Sequence, residues 1–160
     1  MIREATPADV PVILSLIKEL AAYEREADAV VATLADIQAA LFGDDPVAHC
    51  HVAEKDGEVV GFALWYRTFS TWQGKPGIWL DDLYVRPEAR GLGIGRALLV
   101  ELAKLAVDRG WTRFEWWVLD WNVDAHGFYR SLGAHPEDAW TTWRLDGDAL
   151  TTLGGQHVNP

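Results

Sequence analysis

The stretch VRPEARGLGIGRALLVELAKLAV (85–107) joins two kinds of pattern. The apolar run IWLDDLYV (78–85) reads as a strand and ends at Val85. A helical pattern runs from about Gly95 to Asp108, with Ala97, Leu98, Val100, Leu102 and Leu105 mostly on one side. Between them lies Arg90-Gly91-Leu92-Gly93-Ile94-Gly95-Arg96. Glycine lets a backbone take positive φ and approach a ligand closely. The free N–H groups at a helix start, aided by the helix dipole, make a nest for an anion. Residues 90–96 are therefore a candidate phosphate or diphosphate cradle; the plainer reading is a flexible loop with a softened helix entry. A P-loop needs Gly-Lys-Ser/Thr after its glycines, which is missing here. A dinucleotide fingerprint needs G-x-G-x-x-G directly after the strand, whereas this chain has G-x-G-x-G after five intervening residues.

Outward from this stretch the elements follow in order. MIREA (1–5) reads as a first strand. Thr6-Pro7-Ala8-Asp9 is a helix start, and Val10, Ile13, Leu14, Ile17 and Leu20 continue it as an apolar stripe to about Tyr23–Glu26. Thr33-Leu-Ala-Asp36 opens a shorter helix that Gly43 closes. CHVAEK (50–55) and EVVGFALWYR (58–67) flank Asp56-Gly57, a hairpin signal. STWQGKPG (70–77) is a loop by composition. Beyond the second long helix, RFEWWVL (113–119) reads as a strand, NVDAHGFYRSLG (122–133) as a short helix, WTTWRLD (140–146) as a last strand, and the tail from Leu150 as loose. Hairpins mixed with crossover helices imply one mixed sheet with helices on both faces, an α+β domain over residues 1–150 with a loose tail over 151–160.

Bulk properties narrow the function. A chain of 160 residues suits one core. A net charge of −10 argues against nucleic acid or an anionic membrane as partner. It suits a cationic substrate, or simply solubility. The one cysteine, Cys50, rules out an internal disulfide and points to a reducing cytoplasm. Charges within MIREATPADV do not fit a signal peptide, and no apolar run approaches the ~20 residues of a membrane span.

Arg90-x-x-Gly93-x-Gly95 resembles the (Arg/Gln)-x-x-Gly-x-(Gly/Ala) acetyl-CoA motif of the GCN5-related N-acetyltransferases (GNAT). The context also matches: a strand before, a helix after, then a strand and an N-x-x-A-x-x-x-Y helix at Asn122, Ala125 and Tyr129. The likeness spans nearly the whole chain and is greatest to the diamine (spermidine/spermine) and thialysine branch. It is carried by LIKELAAYE (16–24), WLDDLYVRPEARGLGIG (79–95), VLDWNVDAHGFYRSLGA (118–134) and WTTWRLD (140–146). The resemblance implies the GNAT fold with its mostly antiparallel sheet, acetyl-CoA as cosubstrate, no metal, and a homodimer.

Amide formation from a thioester needs a neutral amine, a donor for the oxyanion and a proton for the thiolate. An alkyl ammonium has a pKa near 10.4, so a base must take its proton. Asp81 and Asp82 sit in an otherwise apolar strand, and strand alternation would point them to opposite faces unless a bulge intervenes. The expectation is that Asp81 accepts the amine proton through water and Asp82 helps hold the cation; the plain alternative is a solvated bulge at a sheet edge. The branch usually has Glu at position 81. The resemblance makes Tyr129 the donor to the CoA sulfur, and Asn122 a contact of the CoA arm; on spacing alone Tyr129 reads as a core aromatic beside Phe128. It places the oxyanion donor and the pantetheine-pairing backbone in Leu83-Tyr84-Val85. For the acceptor amine it points to Tyr23, Glu24, Glu115, Trp116, Trp117 and Trp140, acids and aromatics that suit an ammonium chain. Where diamine enzymes tend to carry an acid this chain has Ser70-Thr71, which leaves a smaller amine such as thialysine open. His49 and His51 share a strand face without further ligands at metal spacing, and read as a surface or core pair. The rival functions are acetylation of a protein N-terminus or lysine, and a non-catalytic acetyl-CoA sensor.

Overall fold

A computed structural model describes residues 1–156. Its compact units are Met1–Trp117 and a second unit that begins at Val118.

In the first unit, β1 (Ile2–Glu4), β2 (His49–Lys55), β3 (Glu58–Ser70), β4 (Lys75–Val85) and β5 (Arg113–Trp116) form one sheet in the order β1-β2-β3-β4-β5. The first three pairings are antiparallel and β4–β5 is parallel. The hairpin turn forms at Asp56-Gly57, whose φ values of 53° and 84° are those of a type I′ turn. The β3–β4 connection is shorter than its composition suggests. Ser70 pairs with Lys75, so only four residues turn and half of the expected loop is strand. Pro76, which lacks an N–H, precedes the β5 pairing that starts at Gly77, and its carbonyl accepts the Thr112 N–H at 3.3 Å.

Helix α1 (Val10–Tyr23) follows a 3-10 turn at Pro7–Asp9. The Asp9 carboxylate accepts the Thr6 N–H at 2.7 Å and a bidentate pair from Arg3. Arg3 holds that carboxyl well below the usual carboxylate range. Helix α2 (Leu34–Phe42) opens with a capping box between Thr33 and Asp36. Both helices cover one sheet face, where Ile13, Leu16, Leu20 and Leu41 pack on Cys50, Val52, Phe62 and Tyr84. Helix α3 (Ile94–Asp108) buries Leu98, Leu99, Leu102 and Ala106 against the other face. Helices thus flank the mixed sheet on both faces.

The second unit holds α4 (Val123–Ser131) and α5 (Gly147–Gly154). Two expectations are corrected there. WTTWRLD (140–146) is not a strand, and the segment expected to be loose from residue 151 is helical through Gly154; the rest of that tail, 157–160, lies outside the described residues. Likewise RFEWWVL is strand only over Arg113–Trp116. A strand exists only where a neighbour completes its ladder, and β-type composition cannot supply one.

Candidate active site

The alternation of β4 breaks at the two aspartates. Leu64 pairs with Asp82 and Trp65 with Leu80, so Asp81 is an extra residue with no partner on β3. Cross-strand partners share a face. Cys50, Leu64 and Asp82 are such partners, and Cys50 packs beneath α1, so Asp82 lies on the α1 face. Trp65 donates its Nε1–H to His51 Nδ1 at 3.2 Å on the opposite face, so its neighbour Tyr66 and the partner Trp79 return to the α1 face. The bulge therefore brings Trp79 and Asp82 to one side although their numbers differ by three.

The charges on this face interact. Burial, then the charges of Asp81 and Glu24, push the Asp82 carboxyl from its ordinary 3.8 up to about 7. Glu24, one residue past α1, is itself pushed up by burial. Burial and the charge of Asp81 raise the phenol of Tyr66. Asp81 is exposed and open to water.

β5 completes the wall. Its register sets Glu115 beside Trp79, and alternation puts Trp117 on the same face, where its ring meets Trp79 edge-on at 5.0 Å. Trp117 is 62% exposed, enough surface for a ligand. Trp116 departs from expectation: it pairs with Leu80 and packs on Phe114 at 5.1 Å, on the α3 side. Adjacent strand residues cannot share a face, so Trp116 does not lie on the face of Asp82, Glu115 and Trp117. Tyr66 and Trp79 do; only the register of three strands reveals them.

The stretch expected to hold the cofactor begins where β5 stops. Its pairing with β4 ends at Leu80–Trp116, and β4 runs on through Leu83, Tyr84 and Val85. Among the described residues no strand flanks that edge of β4 beyond Leu80, so an extended ligand can pair there as a strand would. Past Val85, a 3-10 turn at Pro87–Ala89 leads to Gly91 and Gly93, both left-handed at φ 76° and 77°. Gly93 is the N-cap of α3, and no side chain caps that start. The first N–H groups of α3, at Ile94, Gly95 and Arg96, are thus placed for an anion. Leu92 is exposed at the loop tip. The Arg90 side chain turns back, its Nε donating to the Val85 carbonyl at 2.8 Å.

Asn122, Ala125, Tyr129 and Trp140 belong to the second unit. Asn122 Oδ1 accepts the Ala125 N–H at 3.3 Å and caps α4. The Tyr129 ring lies 5.2 Å from that of Phe128. Trp140 is exposed. The histidine pair is accounted for by packing: His49 stacks on Trp65 at 4.5 Å, and burial lowers both imidazoles.

Comparison with known proteins gives the family. The model of the Acetyltransferase (GNAT) family matches residues 13–134. The thialysine N-epsilon-acetyltransferase of Bos taurus is 41% identical over 167 aligned positions, covering 98% of each chain. The spermidine/spermine N(1)-acetyltransferase-like protein 1 of Homo sapiens is 37% identical across 95% of this chain, which corresponds to 23% of that longer protein. An integron cassette protein from the mobile metagenome of V. cholerae superimposes with a TM-score of 0.81 at 25% identity, covering 98% of each chain. With a family match over most of its length and a full-length relative at 41% identity, the chain belongs to the acetyltransferase (GNAT) family.

Proposed function

We propose that this acetyltransferase moves the acetyl group of acetyl-CoA to the primary amine of a small cationic substrate by direct attack in a ternary complex. One observation carries the reading. The same strand, β4, offers an open backbone edge and glycine-lined helix entry at one end, and two carboxylates re-aimed by a bulge immediately before it. Thioester and amine would then meet on one strand.

In this reading the ammonium group enters the face formed by Asp82, Glu24, Glu115, Trp79 and Trp117. Asp82 ionises as the cation arrives, because an adjacent positive charge favours the carboxylate. Asp81, exposed at the bulge, takes the amine proton through water. The amine nitrogen forms its bond to the acetyl carbon and a backbone N–H of Leu83–Val85 holds the oxyanion; as the intermediate collapses, the nitrogen loses its second proton to water and the carbon–sulfur bond breaks. Tyr129 gives its proton to the departing thiolate. Leu83–Val85 pair with the pantetheine arm, the backbone of 91–96 cradles the diphosphate, and Asn122 and Ala125 line the arm. Chemistry of this kind requires no metal ion. Among the described residues no three His, Cys, Asp or Glu side chains cluster as metal ligands.

Similarity to a thialysine N-epsilon-acetyltransferase, and Ser70-Thr71 in place of an acid, support a short amine over a long polyamine. We further propose that residues 1–150 act as one transferase domain in a cytoplasmic homodimer. Among the described residues no helix is long and apolar enough to cross a membrane. Sedimentation should give twice the 17.8 kDa chain mass.

The test is release of free thiol from acetyl-CoA with thialysine, lysine, putrescine, spermidine and aminoglycosides, alongside peptides with free N-termini. Turnover of thialysine or putrescine is expected. Turnover of peptides alone would make the protein a peptide acetyltransferase; CoA binding with no thiol release would make it a sensor.

A further inference from the structure

The segment between β4 and the glycine loop is fastened twice to α1. Arg86 donates from Nε to both oxygens of Glu19 at 3.2 Å and from Nη2 to Oε1 at 2.9 Å. Its Nη1 reaches the Val59 carbonyl at 3.5 Å, and its backbone N–H bonds to that of Val60 at 2.9 Å. Four residues on, the Arg90 guanidinium lies between two rings, its Cζ 5.1 Å from the centroid of Tyr23 and 5.3 Å from that of Tyr84. Its Nε is held by the Val85 carbonyl. Glu19 and Tyr23 are themselves four apart, so they share a face of α1. Two arginines spaced by one turn thus grip two α1 residues spaced by one turn. The Arg86–Glu19 side chains are only 25% and 31% exposed, which limits screening by salt.

This fastening joins two ligand sites. One residue past Arg90 begins the glycine stretch; one residue past Tyr23 is Glu24, whose charge reaches Asp82. Glycines at positive φ leave the loop soft. Its upstream end, however, is fastened to α1, the helix that leads into Glu24.

We infer that Arg86 and Arg90 are positioning residues that couple the cofactor loop to the amine site, so that CoA bound by the backbone of 91–96 strengthens amine binding. The inference rests on the proposed function, and it assigns the Arg90 side chain to α1 and β4 rather than to the diphosphate. Ordering the loop orders α1, and the second ligand meets a site already set. Reciprocity requires the amine to strengthen CoA binding by the same factor.

Isothermal titration of thialysine, putrescine and spermidine in turn, with and without saturating CoA, reads the coupling directly. For the wild type, CoA should tighten the amine that binds best by on the order of tenfold. Arg90→Lys keeps the charge but loses the planar group that stacks between the rings. It should bring the factor close to one, while CoA affinity measured alone changes less than about threefold. Glu19→Arg and Arg86→Glu should each lower the coupling, and the doubly swapped protein should recover it. A wild-type factor of one, with both ligands binding, overturns the inference and leaves the proposed function standing. So does Arg90→Lys weakening CoA alone as much as it weakens the amine, which would make Arg90 a diphosphate ligand. Failure of wild type to bind CoA at all overturns the function and the inference together.

Discussion

At Asp82 the folded protein holds a proton that the unfolded chain gives up. The carboxyl sits at about 7, above its ordinary 3.8, so its cost to stability is absent below about pH 4 and grows as pH rises to about 7. Asp82→Asn should flatten that limb and raise stability at pH 8 by on the order of 1 kcal/mol, allowing for solvent contact. Urea titrations at pH 5 and pH 8 check it. The same group should tie amine affinity to pH. The wild-type KM should fall as pH rises through about 7, and Asp82→Asn should lose that dependence. Asp81 is assigned the kinetic step, so Asp81→Asn should lower kcat by about 100-fold, within the range for general bases. An unaltered pH–rate profile would remove it from that role. Tyr129→Phe should lower kcat by about tenfold with CoA affinity intact; equal kcat values would leave Tyr129 a packing aromatic beside Phe128.

At the scale of elements, the entry to α3 separates its glycines. Gly93 is left-handed at φ 77°, so a β-carbon there is strained even though nothing lies within 4 Å of it. Gly95 is already inside the helix, and an added β-carbon would meet only Val85 Cγ2 at an ordinary 3.9 Å. Gly93→Ala should therefore cost about 1 kcal/mol and weaken CoA binding, while Gly95→Ala should hold or raise stability through its better helix propensity. Thermal melts and CoA titration distinguish the two. The sequence spacing alone treats these glycines alike; backbone dihedrals separate them. The elements legible beforehand were those with local punctuation: Asp56-Gly57, the Thr33–Asp36 box, and the Asn122 start of α4. The misread ones lacked it. WTTWRLD has strand residues without a strand to pair with, and the helix at Gly147–Gly154 was hidden by its terminal place and its Gly-Gly ending.

Across the whole molecule, 24 acidic residues outnumber 14 basic ones, a balance that suits the cationic substrate proposed above. A negative field concentrates ammonium substrates and speeds their capture, and salt screens it. Raising ionic strength from 0.02 to about 0.5 M should lower kcat/KM several-fold for a dication such as putrescine, with kcat nearly constant. Equal salt dependence for a neutral peptide acceptor would show that the field plays no such part.

Sequence was sufficient wherever the physics is local. Caps, hairpin turns and the glycine-rich helix entry depend on residues within a few positions, and these marked the α+β order, the entry to α3 and the carboxylate pair. Only the tertiary structure decided which way those residues face. The register of β2, β3, β4 and β5 turned Asp82 toward α1, sent Trp116 away and brought in Tyr66 and Trp79. Burial between distant segments then raised Asp82 to about 7, and chain folding set Arg86 and Arg90 against a helix more than sixty positions earlier. Pairing register and burial are properties of contacts far apart along the chain, and no local window contains them.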